Sequence, residues 1–499
     1  MVTADALPPI IQGGMGAAVS SWRLAKAVSR RGQLGVVSGV ALDLILARRL
    51  QDGDLDCLRA LAHFPNQEMA QRAIKRLYRD GGRAPGTPYA PLPHLTVHPH
   101  RASTEMVVLG GFAEVWLAKE DNDGLIGINC LEKIQLSTPG TLLGAMIAGV
   151  DAVLMGAGIP REIPRTLDIL ARGDVVHFPV DVEGAEATQF TLDIDPRDIV
   201  GPDLPPLERP PFLAIVSAHV LAQFLARDEE VRPDGFVVEA PPAGGHNAPP
   251  RKSVIDEDGE LIFGPRDEPD LAKIAAIGLP FWLAGAAGTP QALVDAYAVG
   301  AKGVQVGTDF ALSQDSGLDE GIRRTLISRI VDRTLHVKTD PLASPTGFPF
   351  KVAQLEGTLS DTAVYAARPR LCDLGFLRTP YLKDPDTVGY KCASEPEHMY
   401  VKKGGALEDT VGRQCICNGL VTGVGMGQTR KDGYAEHAIV TLGSDGEGPR
   451  QLAALYPDGW TAAEVVILQE RYPHERTQVL ADDFGRPVNQ VLALSLIHI

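Results

Sequence analysis

From Pro9 to about Gly307, short apolar runs alternate with longer stretches whose apolar residues recur at helical spacing, and Gly or Pro turns separate them. That alternation predicts parallel strands joined by helices. Eight runs read as strands: Ile10 to Gln12, Leu34 to Ser38, Leu125 to Cys130, Ala152 to Met155, Phe212 to Val216, Gly235 to Glu239, Phe281 to Gly285 and Gly303 to Gly307. The expected fold class is therefore α/β, a closed (β/α)8 TIM barrel. An open doubly wound sheet competes with it. Against that sheet, no GxGxxG turn followed by an acidic residue about twenty positions on succeeds the first strand.

Two stretches exceed what a minimal barrel needs. The first, about 51–123, holds the helical pattern of Gln67 to Arg79, a proline-rich turn from Pro85 to Pro99 and the apolar segment Val107 to Leu117. The second, about 174–211, carries a strand-pair pattern and a proline-rich connection. Long inserts often cover an active face, and many are only surface ornament. After about Thr334 the strand-helix rhythm is lost. Residues 1–335 are thus expected to form the barrel, and 336–499 a C-terminal extension or small subdomain rich in Gly, Pro and Cys. The last residues, LALSLIHI from Leu492 to Ile499, form an apolar tail without an assignable role.

Composition narrows the partners. A chain of 499 residues that is 44% hydrophobic and 22% charged can bury a large core. Its net charge of -16, from 63 acidic against 47 Lys and Arg residues, argues against nucleic acid or an anionic membrane as partner. A small-molecule partner is expected instead. The start, MVTADALPPIIQGG, lacks the basic segment and apolar core of a secretion signal. The longest apolar run, Leu142 to Leu154, is too short to span a membrane and contains Asp151. Six cysteines, four of them between Cys372 and Cys417, suggest a reducing compartment, and a cytoplasmic location is expected.

Two glycine-bearing turns late in the barrel carry the strongest chemical signal: LAGAAGTPQAL at 283–293 and GVQVGTDFAL at 303–312. Each follows an apolar run and opens a helical stretch. Glycine lets backbone N–H groups approach an anion, and a helix start favours negative charge. Loops after the seventh and eighth strands are the common phosphate site of TIM barrels. Taken singly, such glycines also read as plain tight turns; the pair at the spacing of one βα unit favours phosphate. At the end of the first strand, QGGMG from Gln12 to Gly16 can lie flat against a planar ligand or merely cap the core with Met15.

Together with VEAPPAGGHNAPPR at 238–251, these turns resemble the nitronate monooxygenase family, formerly 2-nitropropane dioxygenases, and the related FMN-dependent enoyl-acyl-carrier-protein reductases. The resemblance covers residues 9 to about 330. It implies noncovalent FMN, with Gly13, Gly14 and Met15 at the isoalloxazine and Asn129 of GINCLEK near the flavin. Gly244 and Gly245 of the GGH turn would lie beside it. Gly285, Ala286, Gly288, Gln305, Gly307 and Thr308 would hold the phosphate side. His246 would be the catalytic histidine. The family's usual EAGGH is stretched here to Glu239-Ala-Pro-Pro-Ala-Gly-Gly-His246, and NAPPR looks more like the enoyl reductases of polyketide and polyunsaturated fatty-acid synthases.

Three functions follow for comparison. The first is an FMN-dependent oxidoreductase of nitronate monooxygenase type, oxidising a nitronate or nitroalkane with oxygen. Abstracting a proton next to an electron-withdrawing group calls for a base near working pH, the role given to His246. The second is an enoyl reductase, which would use NAD(P)H and meet an acyl carrier protein. The third is a phosphate-ligand-binding barrel without catalysis. Separately, Cys372, Cys392, Cys415 and Cys417 could hold zinc or an iron-sulfur cluster, although their spacing fits no standard signature and unpaired structural thiols are the favoured explanation.

Overall fold

The computed structural model describes residues 2–202, 204–455, 462–472, 474–486, 488 and 491. The apolar tail from Leu492 to Ile499 lies outside the described residues. Eight parallel strands form one sheet: β1 (Ile10–Gln12), β2 (Gly35–Ser38), β3 (Ile126–Leu131), β4 (Ala152–Gly156), β5 (Phe212–Val216), β6 (Gly235–Glu239), β7 (Phe281–Ala284) and β8 (Gly303–Val306). Each lies within one residue, at either end, of the run that predicts it. Neighbours pair in the order β1-β8-β7-β6-β5-β4-β3-β2. The ring closes between β1 and β2. There Ile11 and Leu34 form a parallel bridge, the Gln12 N–H donates to the Leu34 carbonyl at 3.0 Å, and the Leu34 N–H donates to Ile10 at 3.1 Å. The architecture is the (β/α)8 barrel.

Strand side chains alternate between the two faces, and the alternation sorts them cleanly. Ile11, Val36, Leu154, Leu213, Val237 and Trp282 point inward and pack into one buried cluster, closed at the bottom by Ala4 and Leu7. The Trp282 indole N–H reaches the Pro8 carbonyl at 3.1 Å, so the amino-terminal segment is pinned as a plug. Val37, Ile128, Val153, Met155, Phe236 and Val238 face outward into the layer shared with the helices. Each such fully buried side chain contributes roughly 1.5–3 kcal/mol.

Within the first long insert, helices Leu55–Leu61 and Gln67–Leu77 pack on this outer layer through Leu61, Met69 and Leu77. The helix Arg101–Lys119 carries Val107 to Leu117 and packs against the helix Thr138–Ile147, where Gly144 approaches the Val108 carbonyl too closely for any Cβ. The second insert forms the antiparallel pair Val176–Pro179 and Thr191–Ile194.

Beyond Thr334 the chain turns back over the C-terminal mouth of the barrel. It forms an antiparallel hairpin, Val337–Asp340 with Phe350–Ala353, and a second, Thr379–Asp384 with Thr387–Lys391. Three buried apolar clusters join it to the barrel: Phe350, Leu377 and Ile416 with Ile134; Val421 with Ala17, Leu44 and Ile45; Val440 and Leu442 with Val19 and Ala311. Among the described residues, no helix is long and apolar enough to cross a membrane.

Candidate active site

The period-two alternation that buries Val36, Val237 and Trp282 also places Ser38, Asn129, Glu239 and Gln305 on the inner face, at the strand ends that open upward. Above them lies a cavity of two lobes, about 160 and 170 Å³, which share Gly14, Asn129, Glu239, Gly244, Gly245 and Thr441 as walls.

The second lobe collects every residue named for the cofactor: Gly13, Gly14, Met15, Asn129, Gly244, Gly245, Gly285, Ala286, Gly288, Gln305, Gly307 and Thr308. Its floor is fixed locally. The buried Gln12 amide donates to the Gly13 carbonyl at 2.6 Å and to Ser20 Oγ at 2.8 Å, while its Oε1 accepts from the Val36 N–H at 2.9 Å. The Gly13 N–H donates to the Val306 carbonyl at 2.8 Å, so the first turn is tied to the last strand. A Cβ on Gly14 would lie 2.3 Å from the Asn129 Cβ, and Asn129 donates to the Gly14 carbonyl at 3.2 Å. Opposite, Gly285 takes φ +90°, within 2.9 Å of where a Cβ would strike the Ala240 carbonyl. Ala286 follows in the left-handed region at φ 56°, a cost of roughly 1–2 kcal/mol for a residue with a Cβ.

Three buried acceptors at this lobe, Asn129 Oδ1, Gln305 Oε1 and Asp309 Oδ1, have no hydrogen-bond partner among the described residues. Buried polar groups are normally paired, so the orphans mark where a ligand belongs. The charged side chains lining the lobe are Glu239, Asp309 and Asp445. Among the described residues no Lys, Arg or His lines it.

The first lobe holds His246 and Glu239 beneath an apolar roof. Phe350, Phe376, Leu377, Ile416, Leu420 and Val421, all from the C-terminal segment, form that roof. His246 Nε2 lies 2.8 Å from Ser344 Oγ, which in turn lies 2.8 Å from Thr346 Oγ1. The imidazole meets the Phe350 ring edge-on at 4.8 Å between centroids. Enclosure, with the Lys133 ammonium adding to it, pushes His246 down to about 3. It is a neutral imidazole at physiological pH. Burial alone pushes the Glu239 carboxyl up to about 7. Of the two, Glu239 therefore has the affinity for protons that acid-base catalysis near neutrality needs.

Cys372, Cys392, Cys415 and Cys417 do border one small cavity of about 10 Å³. Yet among the described residues no group of three or more His, Cys, Asp or Glu side chains is placed to hold a metal ion. The thiols look to separate partners instead. Cys372 meets Cys392, the Cys415 thiol points at the Leu371 carbonyl at 3.9 Å and accepts from the Asn418 amide at 3.6 Å, and Cys417 reaches the roofed lobe. Burial raises the Cys415 and Cys417 thiols, which keeps them protonated.

Sequence reasoning on the barrel motifs named Glu239 without giving it a role, and missed Ser38, Ser344, Asp309, Thr441 and Asp445. Strand parity carries Ser38 and Glu239. Asp309 directly follows the GT turn. Nothing in the local sequence marks Ser344, Thr441 or Asp445, which reach the site only because the extension folds back.

No protein-family model matches the chain, and no curated protein matches it. Solved structures similar to it include FabK from Thermotoga maritima, at 18% identity over 70% of this chain and 72% of that one, with a TM-score of 0.36. A nitroalkane oxidase from Streptomyces ansochromogenes is similar at 15% identity over 89% and 90%, with a TM-score of 0.40. The enoyl reductase domain of MlnA, from the macrolactin biosynthesis cluster of Bacillus amyloliquefaciens, is similar at 10% identity over 70% and 64%, with a TM-score of 0.35. The chemistry of this chain rests on its own residues.

Proposed function

We propose that this chain is an FMN-dependent oxidoreductase acting on a small nitroalkane, a carbon acid, or on its conjugate base, the nitronate. One observation carries the reading: the glycine-walled lobe, with its orphaned Asn129 and Gln305 acceptors, opens directly into the lobe that holds Glu239 and His246. A flat, polar-edged ring suits the glycine-walled lobe, where glycines leave room and unpaired amide oxygens wait for donors. A phosphate suits the backbone-lined end at Gly285–Gly288 and Gly307–Thr308.

When bound, FMN supplies the acceptance of electrons from substrate carbon. The chain's own residues do the rest. The apolar roof excludes water and favours a small, largely apolar substrate, which strengthens every electrostatic contact beneath it. Glu239, half ionised near neutrality, takes the proton that a carbon acid releases. His246 stays uncharged, is oriented by Ser344, and offers a ring nitrogen to the substrate's electron-withdrawing group. The test is anaerobic mixing of the yellow protein with a nitronate and, separately, with NADPH. Bleaching by the nitronate supports the reading. Bleaching by NADPH followed by reoxidation with an enoyl thioester would replace it by the enoyl reductase reading.

A further inference from the structure

The end of the lobe assigned to the phosphate is built from backbone, with Gly285 to Gly288 and Gly307 from the barrel and Gly443 from the returning segment. The Gly443 N–H donates to Thr308 Oγ1 at 3.0 Å, and the Ser444 N–H donates to the Pro242 carbonyl at 3.0 Å, so that segment is fastened across the lobe. The charged groups at this end are Asp309 and Asp445. A phosphate monoester carries roughly -1.5 to -2 charges at pH 7, and carboxylates beside it repel it.

Asp309 has no room to turn away. A Cβ on Gly288 would lie 2.1 Å from its Oδ2, and one on Gly448 would lie 2.2 Å from its Oδ1, so the carboxyl is held between two glycine backbones. Its Oδ1 is buried and has no hydrogen-bond partner among the described residues. Resting on the flavin reading above, we propose that Asp309 couples FMN binding to a proton: it meets the phosphate as a carboxylic acid, donating to a phosphate oxygen, and opposes it as a carboxylate.

One proton then enters with each FMN. The surroundings favour the neutral acid: burial, and to a lesser extent the Asp445 charge, push Asp309 up to about 6 against a hydrogen bond from its own backbone N–H that pulls the other way. The groups facing it do not change that sign. The turn from Gly285 to Gly288 brings no titratable side chain. The returning segment brings Asp445, and the helix Glu447–Leu455 brings Glu447 and Arg450, whose guanidinium is spent on Glu447 at 3.0 Å. Arg333 also acts on Glu447.

The experiment strips flavin from the full-length protein and titrates it with FMN and with riboflavin, which has the same ring but no phosphate, between pH 5 and 8.5. Wild type is expected to lose FMN affinity as pH rises through the Asp309 range while riboflavin affinity stays level. Asp309→Asn is expected to bind FMN roughly tenfold more tightly than wild type at pH 8, the change that one pKa unit of charge coupling represents. Asp445→Asn should give a smaller gain of the same sign, and serves if the first variant misfolds. Proton uptake, read by calorimetry in two buffers of different ionisation enthalpy, should fall in Asp309→Asn. Equal FMN profiles in wild type and both variants would overturn the inference while leaving the cofactor reading intact. Failure of both flavins to bind at any pH would remove the inference and the cofactor reading together.

Discussion

His246, on the loop after β6, and Ser344, in the segment that returns over the barrel, meet at 2.8 Å between Nε2 and Oγ. A barrel loop and a residue almost a hundred positions later thus build one side of the site. The contact sets the aim of the ring, while enclosure keeps it neutral.

His246→Asn should therefore retain flavin and lose turnover. Groups in this role typically contribute on the order of a hundred- to ten-thousand-fold in rate. Because the imidazole stays neutral down to about pH 3, the variant should keep the wild-type pH profile at its lower rate. Flavin content, KM and kcat measured together check this. Near-wild-type rates on both nitroalkane and nitronate would reduce His246 to a turn residue.

Glu239 gives the opposite signature. Its carboxyl, raised to about 7, is half ionised at neutrality and fully ionised only above it, so kcat/KM for a neutral nitroalkane should climb through pH 7. Glu239→Gln should flatten that limb, and the preformed nitronate, with no proton to lose, should be far less affected. Stability carries the same sign: the native state holds this proton where the unfolded chain has already released it, so stability falls as pH rises from about 4.5 through 7. The melting temperature of Glu239→Gln should exceed that of wild type at pH 8, and the gap should close at pH 5.

Gly14→Ala tests the ring floor. The added methyl would sit 2.3 Å from the Asn129 Cβ, so either strand end must move. Flavin binding should fall by at least tenfold while circular dichroism stays native, because the clash lies at the cavity rather than in the packed barrel. Unchanged flavin affinity would place the ring elsewhere.

The barrel was legible because each strand is a short apolar run bounded by Gly or Pro, and parity alone decides what faces inward. The cofactor lobe was legible for a related reason. Its walls are glycines at strand ends, local features that keep their meaning without knowledge of the fold. The roof was not legible. Phe376, Ile416 and Val421 look like any apolar residues in an irregular stretch, and only tertiary packing against Ile134, Ala17 and Ile45 brings them over the mouth. The cysteines are the converse case: they gather around one cavity that their spacing does not announce, and the Cys415 thiol turns to the Leu371 carbonyl.

The most direct measurement is the identity of the flavin released when the purified protein is denatured. The account predicts noncovalent FMN near one per chain, since the lobe between Met15 and Thr308 offers a single phosphate-sized end. Release of FAD alone, or colourless protein that takes up no FMN on reconstitution, would contradict it.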